Sequence, residues 1–186
     1  MKLKTKRPVP NDRQSRKRDR HKTLDVILFV LFLISVGLVV WGINIYRRTI
    51  IEPKYLFVAV SLGTVVAAII LLFVTREFLN AFWTFFLAAA IGGGTVYFLT
   101  LYLNRELAEK ELASETFDIQ RTGNLARGRK GVCRSPYAMI DFYGFEKQLV
   151  FYCEYEKTIH DFRKVRVDYF KGFFGFPIVQ NQTPVP

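Results

Sequence analysis

The stretch VILFVLFLISVGLVVWGINIY, Val26 to Tyr46, holds no charged side chain. About 20 apolar residues cross a bilayer core as a helix, so this run is long enough to span. Two more uncharged runs follow, Tyr55 to Thr75 and Phe78 to Leu103. In hydrocarbon every backbone amide must be bonded within its own segment, which makes such runs helices. Three of them in one short chain are poorly explained as the buried helices of a soluble protein. The first run is too long for a signal-peptide core, and Arg47 and Arg48 follow it instead of a small-residue cleavage site. It reads as an uncleaved span.

Outside these runs the chain is basic. The 186 residues carry 27 Lys and Arg against 16 Asp and Glu, a formal charge of +11, although 51% of residues are hydrophobic. The mean hydropathy of +0.15 therefore averages very unlike parts. The length excludes large catalytic barrels and doubly wound enzymes. Two cysteines exclude a disulfide-dense scaffold and a four-cysteine zinc site, and two histidines in different regions leave no His-rich metal site.

Positive charge sets the direction of insertion. Residues 1–22 hold Lys2, Lys4, Lys6, Arg7, Arg13, Arg16, Lys17, Arg18, Arg20 and Lys22, opposed only by Asp12 and Asp19. This tail has almost no apolar content and is expected to be disordered and cytoplasmic. Lys17, Arg18, Arg20 and Lys22 are the expected contacts to anionic lipid head groups. No aromatic residue interleaves the basic ones, so nucleic acid is not an expected partner. An inside N-terminus and three spans put the C-terminal domain on the extracytoplasmic side of a plasma or inner membrane. Arg47, Arg48 and the basic C-terminal region weigh against that orientation without reversing it.

The spans contain no Asp, Glu, Lys, Arg or His, which argues against a proton relay or ion pathway. Their distinctive feature is small residues. Ala88, Ala89 and Ala90 stand four positions before Gly92, Gly93 and Gly94, and Gly63 stands four before Ala67. This spacing lets helix backbones approach closely. The hairpin formed by spans two and three is one reading of it, and a homo-oligomer or partner subunit is the other. Asn44, Asn80 and Thr84 near span ends read as interfacial caps.

After the third span, NRELAEKELA (104–113) is rich in helix formers, and a helical stalk over 104–114 is expected. The periodicity then changes to two, predicting a small antiparallel β domain over 115–186. Strands are expected near 138–142, 145–153, 163–170 and 176–180, with Phe117 to Arg121 a further candidate. Pro177 places the last at an edge. The whole is a membrane protein of α+β class.

A two-residue turn at Tyr143-Gly144 pairs Phe142 with Phe145 and Ile140 with Lys147, and the apolar faces agree. In that register Cys153 faces Arg134. A disulfide between Cys133 and Cys153 then needs another register or a bulge near Pro136, and the alternative is two separate thiols. Arg127, Arg129 and Lys130 form a basic loop, read as solvated or as contacting head groups or an acidic partner. His160 and Asp161 are adjacent and make a poor acid–base pair. No paired carboxylates, nucleophile elbow, phosphate loop, zinc spacing or cofactor motif appears.

The order RTGNLARGRK (121–130), SPYAMIDFYGFEKQLVF (135–151) and FRKVRVDYFKGFFGFPIV (162–179) resembles the small β-rich extramembrane domains of DUF3592-like membrane proteins. The resemblance implies a β domain attached to helices and no activity. A Tyr-x-Pro ending expected from it is replaced by Tyr169-Phe170-Lys171-Gly172. These readings converge on a non-enzymatic membrane protein that presents a β domain to a partner or ligand at the membrane surface. The rival is an accessory subunit of a larger channel, transporter or secretion complex.

Overall fold

The computed structural model describes residues 12–75, 80–125 and 134–186, with side chains from Lys22 onward in the first stretch. Helix α1 covers Asp12–Arg48 and α2 covers Pro53–Thr75. A third helical run comprises α3 (Ala81–Ala88), one π-helical turn (Ala89–Gly93) and α4 (Gly94–Glu106). Lys22–Arg48, Pro53–Thr75 and Ala81–Glu106 are each long and apolar enough to cross a membrane. At 27, 23 and 26 residues, they are about 35–40 Å long against a hydrocarbon core of about 30 Å. Only 17%, 11% and 28% of their apolar windows are buried within the chain, which leaves most of their apolar surface uncovered by it.

Helix α1 begins inside the tail expected to be disordered. Residues 12–22 are helical, which corrects that expectation for this stretch; residues 1–11 lie outside the described ones. The physical reason is cooperativity. The span has already met the cost of nucleation, and Arg, Lys and Gln extend an existing helix easily.

Helix ends are closed locally. Thr49 donates its hydroxyl to the Ile45 carbonyl (3.0 Å). Pro53 occupies the first position of α2, where a missing N–H costs nothing. Asn80 caps α3 by accepting the Trp83 N–H at 3.0 Å.

The expected stalk over 104–114 is not helical throughout. Helix α4 ends at Glu106, and the first strand, β1, already begins at Leu112. Asn104 is completely buried, and its groups are taken by the chain near residue 174. Its Nδ2 donates to the Phe176 carbonyl (3.0 Å), and its Oδ1 accepts from the Phe174 N–H (3.0 Å). Its own carbonyl accepts from the Phe173 N–H (3.1 Å). Glu109 then donates its N–H to Lys171 (3.0 Å). Good local helix propensity is overridden by tertiary partners.

The strands are β1 (Leu112–Asn124), β2 (Pro136–Phe142), β3 (Phe145–Val150), β4 (Lys164–Lys171) and β5 (Pro177–Val185). They form one five-stranded sheet in the order β3-β2-β1-β4-β5, with every pairing antiparallel. The strand expected only as a further candidate is thus the central one, flanked by two hairpins. The β2–β3 register pairs Phe142 with Phe145 and Ile140 with Lys147, as the two-residue turn predicts. Tyr143 (φ 54°) and Gly144 (φ 86°) supply the left-handed geometry of that turn. Strand β3 stops at Val150, short of the expected Cys153, which instead opens a 3-10 turn over Cys153–Tyr155. Strand β5 runs longer than expected and lies at an edge, with a bulge where Asp168 pairs Asn181 but Tyr169 pairs Val179. The other edge lies nearby: Gln182 Nε2 donates to the Val150 carbonyl at 2.5 Å, so the sheet curls.

One face of the sheet is apolar. Ala138, Ile140, Phe142, Leu149, Val165, Val167 and Val179 form its core, with Phe117 and Ile119 of β1 packed against them. Ile50, from the connection between α1 and α2, belongs to the same core. The chain divides into two compact units. One contains residues up to Val40 with Ala59–Val96, and the other Trp41–Val58 with Tyr97–Pro186. The second therefore exceeds the expected 115–186 domain, because it includes the helix ends nearest the sheet.

Candidate functional site

Period-two alternation puts an acidic and a basic residue on the apolar face of the sheet, Lys147 on β3 and Glu115 on β1. Each must find partners there, because an unpaired buried charge is costly. Lys147 is 8% exposed. Its Nζ donates to the Thr49 carbonyl at 2.7 Å and, more weakly, to the Tyr46 carbonyl at 3.5 Å. It also lies 5.2 Å from the centroid of the Tyr46 ring. Tyr46 lies in the last turn of α1 and its carbonyl also accepts the Thr49 N–H at 3.0 Å; Thr49 directly follows the helix, at the negative end of its dipole. Both carbonyls favour the ammonium, while burial opposes it and pulls Lys147 down to about 8. The arrangement is an anchor: the lysine closes the helix end and fixes it to the sheet.

Glu115 is held by two tyrosines. Tyr169 donates its hydroxyl to Oε1 at 2.8 Å, and the Tyr143 hydroxyl donates to Oε2. Phe142 packs between them, with its ring centroid 5.1 Å from Tyr143 and 5.4 Å from Tyr169. Burial, then the Glu115 bond, pushes Tyr169 up to about 12. The Glu115 bond is also the main cause that raises Tyr143. This cluster ties the β2–β3 turn, including left-handed Tyr143, to the central strand.

Other expected residues are placed as follows. Gly63, Ala67, Gly92, Gly93 and Gly94 meet within the chain. A Cβ on Gly92 would collide with Ala67 and come within 2.5 Å of the Gly63 carbonyl oxygen. One on Gly93 would lie 2.8 Å from Thr64 Oγ1, and one on Gly94 2.5 Å from Ser35 Oγ. The glycine triplet thus admits α2 on one side and α1 on another. Ala88 is fully buried. Ala90 accepts the Ser35 hydroxyl (2.5 Å) inside the π-helical turn Ala89–Gly93, where a side chain entering the helical ladder accompanies the altered winding. A cleft of about 260 Å³, lined by Leu28, Phe32, Trp83 and Phe86 with Asp25 at its edge, lies between α1 and α3.

Lys22 is exposed. Lys17, Arg18 and Arg20 lie on the first turns of α1, and their side chains are outside the described ones, as are Arg127, Arg129 and Lys130. Cys153 is disulfide-bonded; Cys133, the other cysteine of the chain, lies outside the described residues. His160 sits in a 3-10 turn ahead of β4, with its Nδ1 2.6 Å from Thr122 Oγ1.

The chain matches no family model, no curated protein and no solved structure. The site therefore rests on geometry. Sequence reasoning placed Lys147 opposite Ile140 but gave it no partner. It missed Asn104, Thr49 and Ile50. The available signals were a polar residue ending an apolar run and a short inter-span connection, Thr49-Ile50-Ile51, that is too apolar for a solvated loop.

Proposed function

We propose that this is a non-enzymatic integral membrane protein that holds a small β domain in a fixed pose at the membrane surface for a partner protein or ligand. The three helices cross the bilayer, the basic N-terminus lies in the cytoplasm and rests on anionic lipids, and the sheet faces the extracytoplasmic side. The resemblance to DUF3592-like proteins implies the β domain attached to helices, and the orientation comes from the charge of the N-terminal tail. The observation that carries the reading is the mounting of the sheet. Lys147 bonds the end of α1, Thr49 bridges Ile178, and Asn104 holds the chain before β5. A domain that only trailed from a span would need none of these. The disulfide-bonded state of Cys153 supports the extracytoplasmic side, where disulfides persist.

The accessory-subunit reading drew its main support from the small residues of span three. Gly92, Gly93 and Gly94 already have close neighbours within the chain, which leaves that reading less to explain. A self-contained protein or a homo-oligomer is favoured over one that needs a foreign subunit for its spans.

Paired reporters fused after Pro186, each active on one side of the membrane, test the topology. Activity of the extracytoplasmic reporter is expected. Activity of the cytoplasmic one overturns the orientation, and loss of the chain from the membrane in alkaline carbonate overturns the spans.

A further inference from the structure

The connection between β4 and β5 reads Lys171-Gly-Phe-Phe-Gly-Phe176. It places two adjacent phenylalanines in the open: Phe173 is 58% and Phe174 45% exposed. An exposed aromatic pair at a loop tip is unusual unless something apolar covers it. The tip is a tight turn, with Gly175 donating its N–H to Gly172 (2.8 Å) and Gly175 at φ +82°.

What fixes the tip is the end of every candidate span. Toward α1, Thr49 bridges Ile178, and the Ile50 N–H donates to the Pro177 carbonyl at 2.8 Å. Toward the first turn of α2, the Phe176 ring lies 5.7 Å from Tyr55. Toward the last turn of α4, Asn104 bonds the backbone of residues 173, 174 and 176. Gly172 is required there, since a Cβ on it would collide with the Asn104 amide. The two rings are thus held at the level where the helices leave their apolar stretch, the level at which aromatic side chains concentrate in membrane proteins.

We propose that the Phe173–Phe174 turn is a built-in membrane wedge that lies in the head-group and upper acyl layer of the bilayer beside the spans, with phospholipid as its partner. The proposal rests on the reading that the helices cross a membrane. It adds a fourth, monotopic contact that sets the height and tilt of the sheet against the lipid surface.

The test uses the full chain in phosphatidylcholine vesicles with Trp41→Phe and Trp83→Phe, to which Phe173→Trp or Phe174→Trp is added as the sole tryptophan. Chains that retain only Trp41 or only Trp83 report on the spans. At least one of the two introduced tryptophans is expected to emit at shorter wavelength than in water. The same residue should lose intensity with lipids brominated near the head group and resist aqueous iodide. If both are open to iodide and indifferent to bromolipid while Trp41 or Trp83 is quenched by it, the wedge is wrong and the spans stand. If no tryptophan is quenched by bromolipid, the transmembrane reading itself fails.

Discussion

Lys147 carries a burial cost only while it is charged, and that makes it measurable. Its value falls from 10.5 to about 8 on folding. Between those limits the unfolded chain binds more protons than the folded one, so stability rises with pH across the window. Below about 8 the full penalty is present. The gain across the window is at most about 3 kcal/mol. Lys147→Met should flatten the slope, as read by thermal unfolding of the sheet in detergent from neutral to alkaline pH; an unchanged slope would assign it elsewhere. Tyr169 acts in the opposite sense. Its phenol rises from 10.0 to about 12, so its contribution is kept below the unfolded value and lost as pH climbs through the folded one. Glu115→Gln should lower the alkaline titration of Tyr143 and Tyr169 seen in phenolate absorbance. The parity that puts Lys147 on the apolar face was legible in β3 alone. Its acceptor was not, because Thr49 lies 98 positions away and nothing local marks a carbonyl as free.

Helices and strands show where local reading succeeds. The β2–β3 hairpin was legible down to its register, because a two-residue turn and alternating faces fix one another over a dozen residues. The central strand was not. Residues 104–113 favour a helix by composition, whereas Ala113, Glu115, Phe117 and Ile119 alternate weakly, and only pairing with β2 and β4 makes them a strand. The apolar runs were legible from the absence of charge, although the helices continue past them, through Arg48 in α1 and through Arg105 and Glu106 in α4. The expected start of the third run at Phe78 lies outside the described residues. The packing between spans was not legible. Gly92 and Gly37 look alike as intramembrane glycines. Gly92 presses on Ala67 and Gly63, while nothing lies within 4 Å of a Cβ on Gly37. Gly92→Val should therefore lower the melting temperature in detergent by the equivalent of about 1–3 kcal/mol from overpacking. Gly37→Ala should be neutral or stabilise by up to about 1 kcal/mol through helix propensity. Equal effects of the two would remove the glycine triplet from the packing argument.

At the level of the whole chain, the sheet is completed by residues far from it in sequence. A fragment covering 115–186 lacks Ile50, a member of the sheet core, as well as the first positions of β1, Thr49 beneath Lys147, and Asn104. It is expected to aggregate or to give an unfolded circular-dichroism spectrum. A soluble, cooperatively melting fragment would show that the helix ends are dispensable. The aromatic content of the last third reads as enough for a small core of its own, and composition carries no information about which distant loop fills that core. The bridge between Thr49 and Ile178, with Ile50 bonded to Pro177, also imposes an order in time. The connection between the first two spans leaves the ribosome long before β5 does, and it then waits with Ile50 and Ile51 uncovered until the last strand arrives. Closure thus has to wait for β5, and a chain stalled before Pro177 would display that apolar connection as a flag to chaperones and proteases.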